Sequence, residues 1–335
     1  MTLRLGLKDV VGIFAIMPTP ATPDARDWRA SRTVDLDEAD RAARALVEDG
    51  VAAIMTNGTF GEASTLTWEE HHAFAATVVE AVAGRVPVLL GPTTLNTRDT
   101  ISRGRAFRDL GAAGFMLGRP MWCAMEDATI VRFYADVAEA LPEMGIVVYD
   151  NPAAFKGKLT PRAYDALAAI PQVLAAKYTV IGDQFPADLA AARGRIRLMP
   201  IEEDWYRAWQ VDPENARACW SAAASCGPGP VVALQQSLEA GDAMRSETIA
   251  AEIRAACEPL FPDGSFEAFA KYNIAIDKAW MDEAGYLRAG PARPPYHVIP
   301  EAYLNGAREA GRRWVALRER YDPEVGTGAG RRVDV

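Results

Sequence analysis

The chain has 335 residues, 50% hydrophobic and 24% charged, with 45 acidic against 36 basic side chains and a formal net charge of −9. The acidic balance argues against a nucleic-acid binder, and the composition is that of a globular protein, which excludes disorder and fibrous structure. No apolar run approaches the roughly 20 residues that span a bilayer, and residues 1–11 carry Arg4, Lys8 and Asp9 where a signal peptide would be uninterruptedly apolar. A cytoplasmic protein is expected, with neither membrane nor nucleic acid among its partners.

The apolar run 11–17 stops at Pro18-Thr19-Pro20 and reads as a buried strand followed by a sharp loop. A helix over 37–48, ended by Gly50, leads to a second apolar strand at 52–55. Thr67-Trp68-Glu69-Glu70 is a capping box: the threonine hydroxyl and the Glu70 carboxylate each satisfy an amide donor at the start of a helix running to about 82. His71 and His72 fall on that helix and point roughly 100 degrees apart, so a histidine-built zinc site is not expected. A third strand at 87–90 follows, then a helix near 97–110, a strand at 114–117, a helix near 127–141 and a strand at 146–149. The alternation continues with a helix near 161–169, a strand at 173–176, a helix near 186–193, a strand at 196–199 and a last strand around 219–222. Eight short apolar strands separated by helices predict an α/β fold, a closed (β/α)8 TIM barrel, with an open doubly wound sheet as the alternative.

From about residue 229 the strands cease, and helices at 231–240, 244–260 and 266–283 form an expected C-terminal helical extension. Gly290-Pro291-Ala292-Arg293-Pro294-Pro295-Tyr296 must be loop, because its prolines remove amide donors. The expected organisation is a barrel domain at 1–228, an extension at 229–325 packed on it, and a flexible tail at 326–335. Cys123, Cys219, Cys226 and Cys257 show no Cys-x-x-Cys pairing and are expected to be buried free thiols.

In barrels of this kind the active site lies at the carboxyl ends of the strands. The second strand ends in Thr56-Asn57-Gly58-Thr59-Phe60-Gly61-Glu62, whose glycines let successive amides converge on a carboxylate, although such turns also occur without a ligand. The fifth ends in Tyr149-Asp150-Asn151-Pro152, placing a phenol where it can exchange a proton with a group in the barrel mouth; a packed, hydrogen-bonded tyrosine is the other reading. The sixth ends in Ala175-Ala176-Lys177-Tyr178-Thr179. Only six of the 36 basic residues are lysines, so arginine serves wherever a generic surface cation is wanted. Lys177 alone follows four apolar residues of a buried strand, where a charged amine is costly and its pKa falls toward neutrality. A neutral amine at that place can attack a ketone and form a Schiff base, which arginine cannot do.

Gly58-Thr59-Phe60-Gly61-Glu62, Tyr149-Asp150-Asn151-Pro152 and Lys177, in this order and spacing, resemble the signature of the class I, Schiff-base aldolases of the dihydrodipicolinate synthase and N-acetylneuraminate lyase superfamily, over residues 11–226. The common loop has a second threonine where this chain has Phe60, which removes a hydroxyl from the usual proton relay. Phe60 itself, Asn151-Pro152-Ala153-Ala154-Phe155-Lys156, Ala218-Cys219-Trp220-Ser221-Ala222 and the segment 289–296 are similar to the hydratase-aldolases of aromatic degradation, over nearly the whole chain.

That resemblance implies a carbon–carbon lyase whose small-molecule partners are pyruvate and an aryl-substituted 2-oxo-3-enoate. It implies no metal and no cofactor beyond the covalent Schiff base on lysine, and a homo-oligomer, usually a tetramer. Lys177 would condense with the ketone, water would add to the distant alkene carbon, and Tyr149 would take the proton of the new hydroxyl as the carbon–carbon bond breaks. Thr59 and Phe60 are expected to hold the keto-acid carboxylate, and Asn57 and Asn151 to orient water or that carboxylate. Trp220 and Trp122 are expected to line an apolar distal pocket, which Ala153-Ala154-Phe155 favours, and Asn273 to reach a polar ring substituent. The hydroxyaryl substrate, trans-o-hydroxybenzylidenepyruvate, ranks before the carboxyaryl one, 2-carboxybenzalpyruvate, for which Arg293 or Lys156 would be the distal cation. The rival readings are a dihydrodipicolinate synthase-like or sugar-acid aldolase and, outside catalysis, a keto-acid-binding sensor.

Overall fold

The computed structural model describes residues 3–321, so the expected tail at 326–335 lies outside the described residues. The strands are β1 (Gly12–Ile16), β2 (Ala53–Thr56), β3 (Val88–Leu90), β4 (Gly114–Leu117), β5 (Gly145–Asp150), β6 (Val173–Tyr178), β7 (Arg197–Met199) and β8 (Ala218–Ser221). All eight are parallel and lie in the order β7-β6-β5-β4-β3-β2-β1-β8. The two ends of that sheet meet just beyond β7, where Ile201 and Trp220 form a parallel bridge and the Trp220 amide donates to the Pro200 carbonyl at 2.9 Å. The result is the expected (β/α)8 barrel, with its seam at the carboxyl ends of β7 and β8.

The helices are α1 (Leu36–Glu48), α2 (Trp68–Val82), α3 (Thr97–Leu110), α4 (Asp127–Ala140), α5 (Pro161–Leu167), α6 (Phe185–Ala192), α7 (Trp205–Val211), α8 (Gly229–Glu239), α9 (Ala243–Cys257), α10 (Phe266–Ala284) and α11 (Glu301–Tyr321). The capping box forms as its sequence requires: Thr67 Oγ1 accepts from the Glu70 amide at 3.2 Å and Glu70 accepts from the Thr67 amide at 3.1 Å. Strands covered by helices on one side and by barrel interior on the other are buried on both faces, which is why they read as unbroken apolar runs.

Three local features differ from expectation. β6 runs two residues further than its apolar run, so Lys177 sits inside the strand and not beyond it. The short helix α7 follows a run of three acidic residues and has no counterpart in the sequence reading. Cys123 is exposed, whereas Cys219, Cys226 and Cys257 are buried free thiols.

The helix α8 lies against the start of the barrel, with its Gln235 side chain over Gly12 and its Val232 over Gly50. Helix α8, at the start of the expected extension, thus packs against the barrel directly, and α9, α10 and α11 follow it. The extension is tied to the turn after β8, where Trp314 Nε1 donates to the Gly227 carbonyl at 3.1 Å and Arg318 to the Cys226 carbonyl at 2.9 Å. Trp314 also packs edge-on against Trp280 of α10. Among the described residues no helix is long and apolar enough to cross a membrane.

Candidate active site

Lys177 is centred among the strand ends. Its register partners are Tyr149 on β5 and Met199 on β7, and it is only 5% exposed. Its Nζ lies 3.2 Å from the centre of the Trp220 ring and 4.8 Å from that of Tyr149. Among the described residues it makes neither a hydrogen bond nor an ion pair. Burial drives its pKa down to about 7, against the opposing pull of Glu202 and Asp277, so near neutrality a large fraction is free amine. Trp220 is fixed by its own Nε1, which donates to the Tyr178 carbonyl at 2.8 Å. Its ring is thus a wall of the lysine's site and lies close to the amine, not at a distal end.

The Tyr149 hydroxyl shares a 2.7 Å hydrogen bond with Thr59 Oγ1 and accepts from Asn151 Nδ2 at 3.0 Å. Burial raises its pKa, while Thr59 and Asn151 pull it back, so the phenol stays protonated. A protonated phenol in this position can exchange a proton with a substrate hydroxyl, with Thr59 and Asn151 as its hydrogen-bond partners. Asn151 Oδ1 accepts from the Ala153 and Ala154 amides, so the side chain fixes the turn and the phenol together and keeps the second N–H of Nδ2 for another acceptor. Asp150 between them is structural, accepting from the Leu159 amide at 3.1 Å and the Tyr164 hydroxyl at 3.0 Å.

The loop after β2 is folded tightly onto this group. A Cβ on Gly58 would stand 2.8 Å from Met116 Cε and 3.4 Å from the Tyr149 ring, and one on Gly61 would stand 2.7 Å from the Asn57 nitrogen. Both glycines are required by close approach. Asn57 and Glu62, at the two ends of the loop, have φ of 61° and 54°, each costing about 1–2 kcal/mol for a residue with a side chain. Glu62 is held there by Lys278, at 2.5 Å, by the Arg293 amide at 2.8 Å and by the Arg293 guanidinium. Phe60 is buried against the core, and Asn57 is 2% exposed with neither end of its amide hydrogen-bonded among the described residues.

Thr59, Tyr149, Asn151, Lys177 and Trp220 are therefore brought together, with Phe60 and Asn57 in the adjoining loop. Asn273, half-buried on α10, donates to Asp277 at 2.6 Å. Trp122 is 75% exposed, its carbonyl accepting from Lys156 Nζ at 2.6 Å. Arg293, buried against Glu62, cannot serve a distal carboxylate. Phe155 packs edge-on to Tyr149 with ring centres 5.3 Å apart, giving the apolar neighbour that its sequence position suggests.

The sequence reading passes over two acids of this site. Asp277 on α10 is raised by burial to about 8, with the charge of Lys177 opposing. Glu202, just beyond β7, is raised by burial to about 7. The signal for Glu202 was its place after a strand, hidden because Glu202-Glu203-Asp204 resembles a solvated acidic run. Among the described residues no group of three or more His, Cys, Asp or Glu is arranged to hold a metal ion.

The sequence pattern of the Dihydrodipicolinate synthetase family matches residues 12–309. The chain belongs to the dihydrodipicolinate synthetase family. Within it, the chain is 48% identical over 324 residues to a trans-O-hydroxybenzylidenepyruvate hydratase-aldolase of Pseudomonas putida, covering 96% of this chain and 97% of that one. It is 45% identical over 316 residues to a trans-2'-carboxybenzalpyruvate hydratase-aldolase of Nocardioides sp. strain KP7, covering 93% and 95%. The solved structure of PhdJ bound to a substrate intermediate superimposes with a TM-score of 0.94 at 51% identity, covering 95% and 99%. Class I aldolases of the dihydrodipicolinate synthetase family work through a covalent lysine Schiff base without a metal or external cofactor.

Proposed function

We propose that the chain is a Schiff-base hydratase-aldolase that adds water to an aryl-substituted 2-oxo-3-enoate and cleaves the resulting aldol to pyruvate and an aromatic aldehyde, in the breakdown of polycyclic aromatic hydrocarbons. The observation that carries this reading is the unpaired, buried Lys177 with a pKa near 7, set against Tyr149 and Trp220, in a chain similar end to end to named hydratase-aldolases. The free amine adds to the ketone, and the conjugated iminium draws electrons from the distant alkene carbon, where water adds. Tyr149, hydrogen-bonded to Thr59, takes the proton of the new hydroxyl as the carbon–carbon bond breaks into the iminium; a proton then returns to the terminal carbon of the resulting enamine, and hydrolysis of the pyruvyl iminium releases pyruvate and the free amine. In this reading the loop 58–60 binds the keto-acid carboxylate, Asn151 positions Tyr149, Asn57 offers an idle amide beneath the loop, and Asn273 acts toward the ring substituent. The active form is a homo-oligomer, a tetramer by analogy with the superfamily, in the cytoplasm.

The hydroxyaryl substrate is favoured over the carboxyaryl one because Arg293 is buried on Glu62, and Lys156, although it carries no ion pair among the described residues, is exposed and anchored to the carbonyl of the likewise exposed Trp122. Incubation with pyruvate and borohydride should add a reduced pyruvyl group to Lys177, located by peptide mass spectrometry. Aldol condensation of pyruvate with salicylaldehyde should then exceed that with 2-carboxybenzaldehyde. An adduct on another lysine, or none, refutes the mechanism; faster reaction of the carboxylated aldehyde reverses the substrate order; condensation with aspartate semialdehyde alone makes the chain a synthase.

A further inference from the structure

The mechanism above leaves one buried acid at the strand ends unused. Glu202 opens the turn after β7 and is 1% exposed; its Oε1 accepts from the Ala223 amide at 2.9 Å, and its Oε2 has no partner among the described residues. The barrel seam fixes its place: Ile201 bridges to Trp220, the Trp220 ring lies beneath Lys177 Nζ, and Lys177 is the register partner of Met199. A buried carboxylate with one oxygen anchored and the other unsolvated is costly, and protonation exchanges that charge cost for the smaller one of an O–H that still lacks an acceptor. The titratable groups around it are Lys177 from β6, Asp277 from α10, Glu203 on its own turn, Cys219 on β8, Cys226 after β8 and Cys257 on α9. Lys177 is the cation of this set. Burial brings Glu202 up to about 7 and Lys177 down to about 7, each opposed by the other's charge, so near neutrality both groups can give up or take a proton.

Making an iminium from a neutral amine and a ketone consumes one proton and leaves a positive charge in a buried site. We infer that Glu202 supplies that proton and then remains as the counter-charge of the Lys177 iminium. The lysine nitrogen adds to the ketone carbon and gives a carbinolamine. The Glu202 O–H bond breaks, its proton joins the departing hydroxyl, the C–O bond breaks to release water, and the C=N bond forms. One neutral pair has become one ion pair, so the net charge of the site is unchanged. Hydrolysis runs the same steps backward and returns the proton to Glu202. This rests on the reading of Lys177 above and adds the source of the proton.

The test follows imine formation on the full chain with pyruvate in two ways, by borohydride trapping on Lys177 and by difference infrared spectroscopy of the carboxyl groups. In the native protein the trapping rate should be bell-shaped in pH, rising as the amine loses its proton and falling as Glu202 loses its own. Glu202→Gln, which keeps an acceptor for the Ala223 amide, should lose the falling limb and slow trapping at pH 7 by about 100-fold. Pyruvate should remove a protonated-carboxyl band in the native protein but not in Glu202→Gln. Glu202→Asp should retain the falling limb, and so should Asp277→Asn. A bell-shaped profile and native rate in Glu202→Gln, an unchanged carboxyl band, or loss of the falling limb in Asp277→Asn alone overturns the inference while leaving the Schiff-base reading intact. Absence of any imine in the native protein overturns both.

Discussion

Lys177 and Lys278 are buried almost equally, 5% and 1% exposed, yet their surroundings make them opposite kinds of residue. Lys278, on α10, is clasped at 2.5 Å by Glu62, beside the Arg293 guanidinium. Lys177 has an indole ring against its amine and no carboxylate within ion-pair distance among the described residues. Desolvation lowers both, and it is opposed at Lys278 by Glu62 in direct contact and at Lys177 only by Glu202 and Asp277, neither of which is bonded to it. Burial alone therefore does not mark a nucleophile. The missing partner does, because an ion pair would hold the amine protonated and inert.

The most severe break in this comparison is Lys177→Ala, which should lower turnover by on the order of 10⁴-fold or more and abolish the borohydride adduct without altering the far-ultraviolet circular dichroism. Lys278→Met should act on stability instead. Removing one of the two cations on Glu62, whose charge Arg293 still balances, should cost about 1.5–3 kcal/mol in urea denaturation, while the protein that remains folded still traps pyruvate on Lys177. If Lys278→Met keeps its stability but loses the adduct, the roles assigned to the two lysines are reversed.

Acidity sharpens the contrast without mutation. Below pH 7 Lys177 takes up its proton and stops being a nucleophile, so initial trapping should fall roughly tenfold per pH unit on the acid side. A profile still rising at pH 9 would mean that the amine has the pKa of an ordinary lysine. The smallest effect belongs to Trp220→Phe, which keeps a ring beside the amine but gives up the bond to the Tyr178 carbonyl. It should cost about 1 kcal/mol of stability and slow trapping only a few-fold, measured against Trp220→Ala, which should slow it more.

The barrel was legible in the sequence because each strand is buried on both faces and so leaves an unbroken apolar run, and the capping box at Thr67 is a local device that needs no tertiary context. Lys177 was legible for the same reason: a rare residue type intruding on such a run. What the sequence hid depends on packing between distant segments. Arg293 looked like a distal cation until Glu62, 231 positions away, was seen to occupy it. Asn151 gave no sign in the sequence that its oxygen closes the turn it starts while its nitrogen reaches back to the Tyr149 hydroxyl. Glu202 was passed over because a triplet of acids ordinarily faces solvent, and only the seam between β7 and β8 folds its first member inward.

The clasp on Glu62 also has a consequence for the order in which the protein can be made. The loop it anchors belongs to the second strand, yet both cations that neutralise it come from α10 and the segment after it. A ribosome that has released all eight strands has thus produced a barrel whose loop 56–62 has a strained backbone at each end and a buried acid without its counter-ions. Only when Arg293 has been synthesised can that loop settle against Tyr149. A segment translated after all eight strands thereby completes the loop that follows the second of them, and a barrel truncated before Arg293 should be unable to cradle a keto acid.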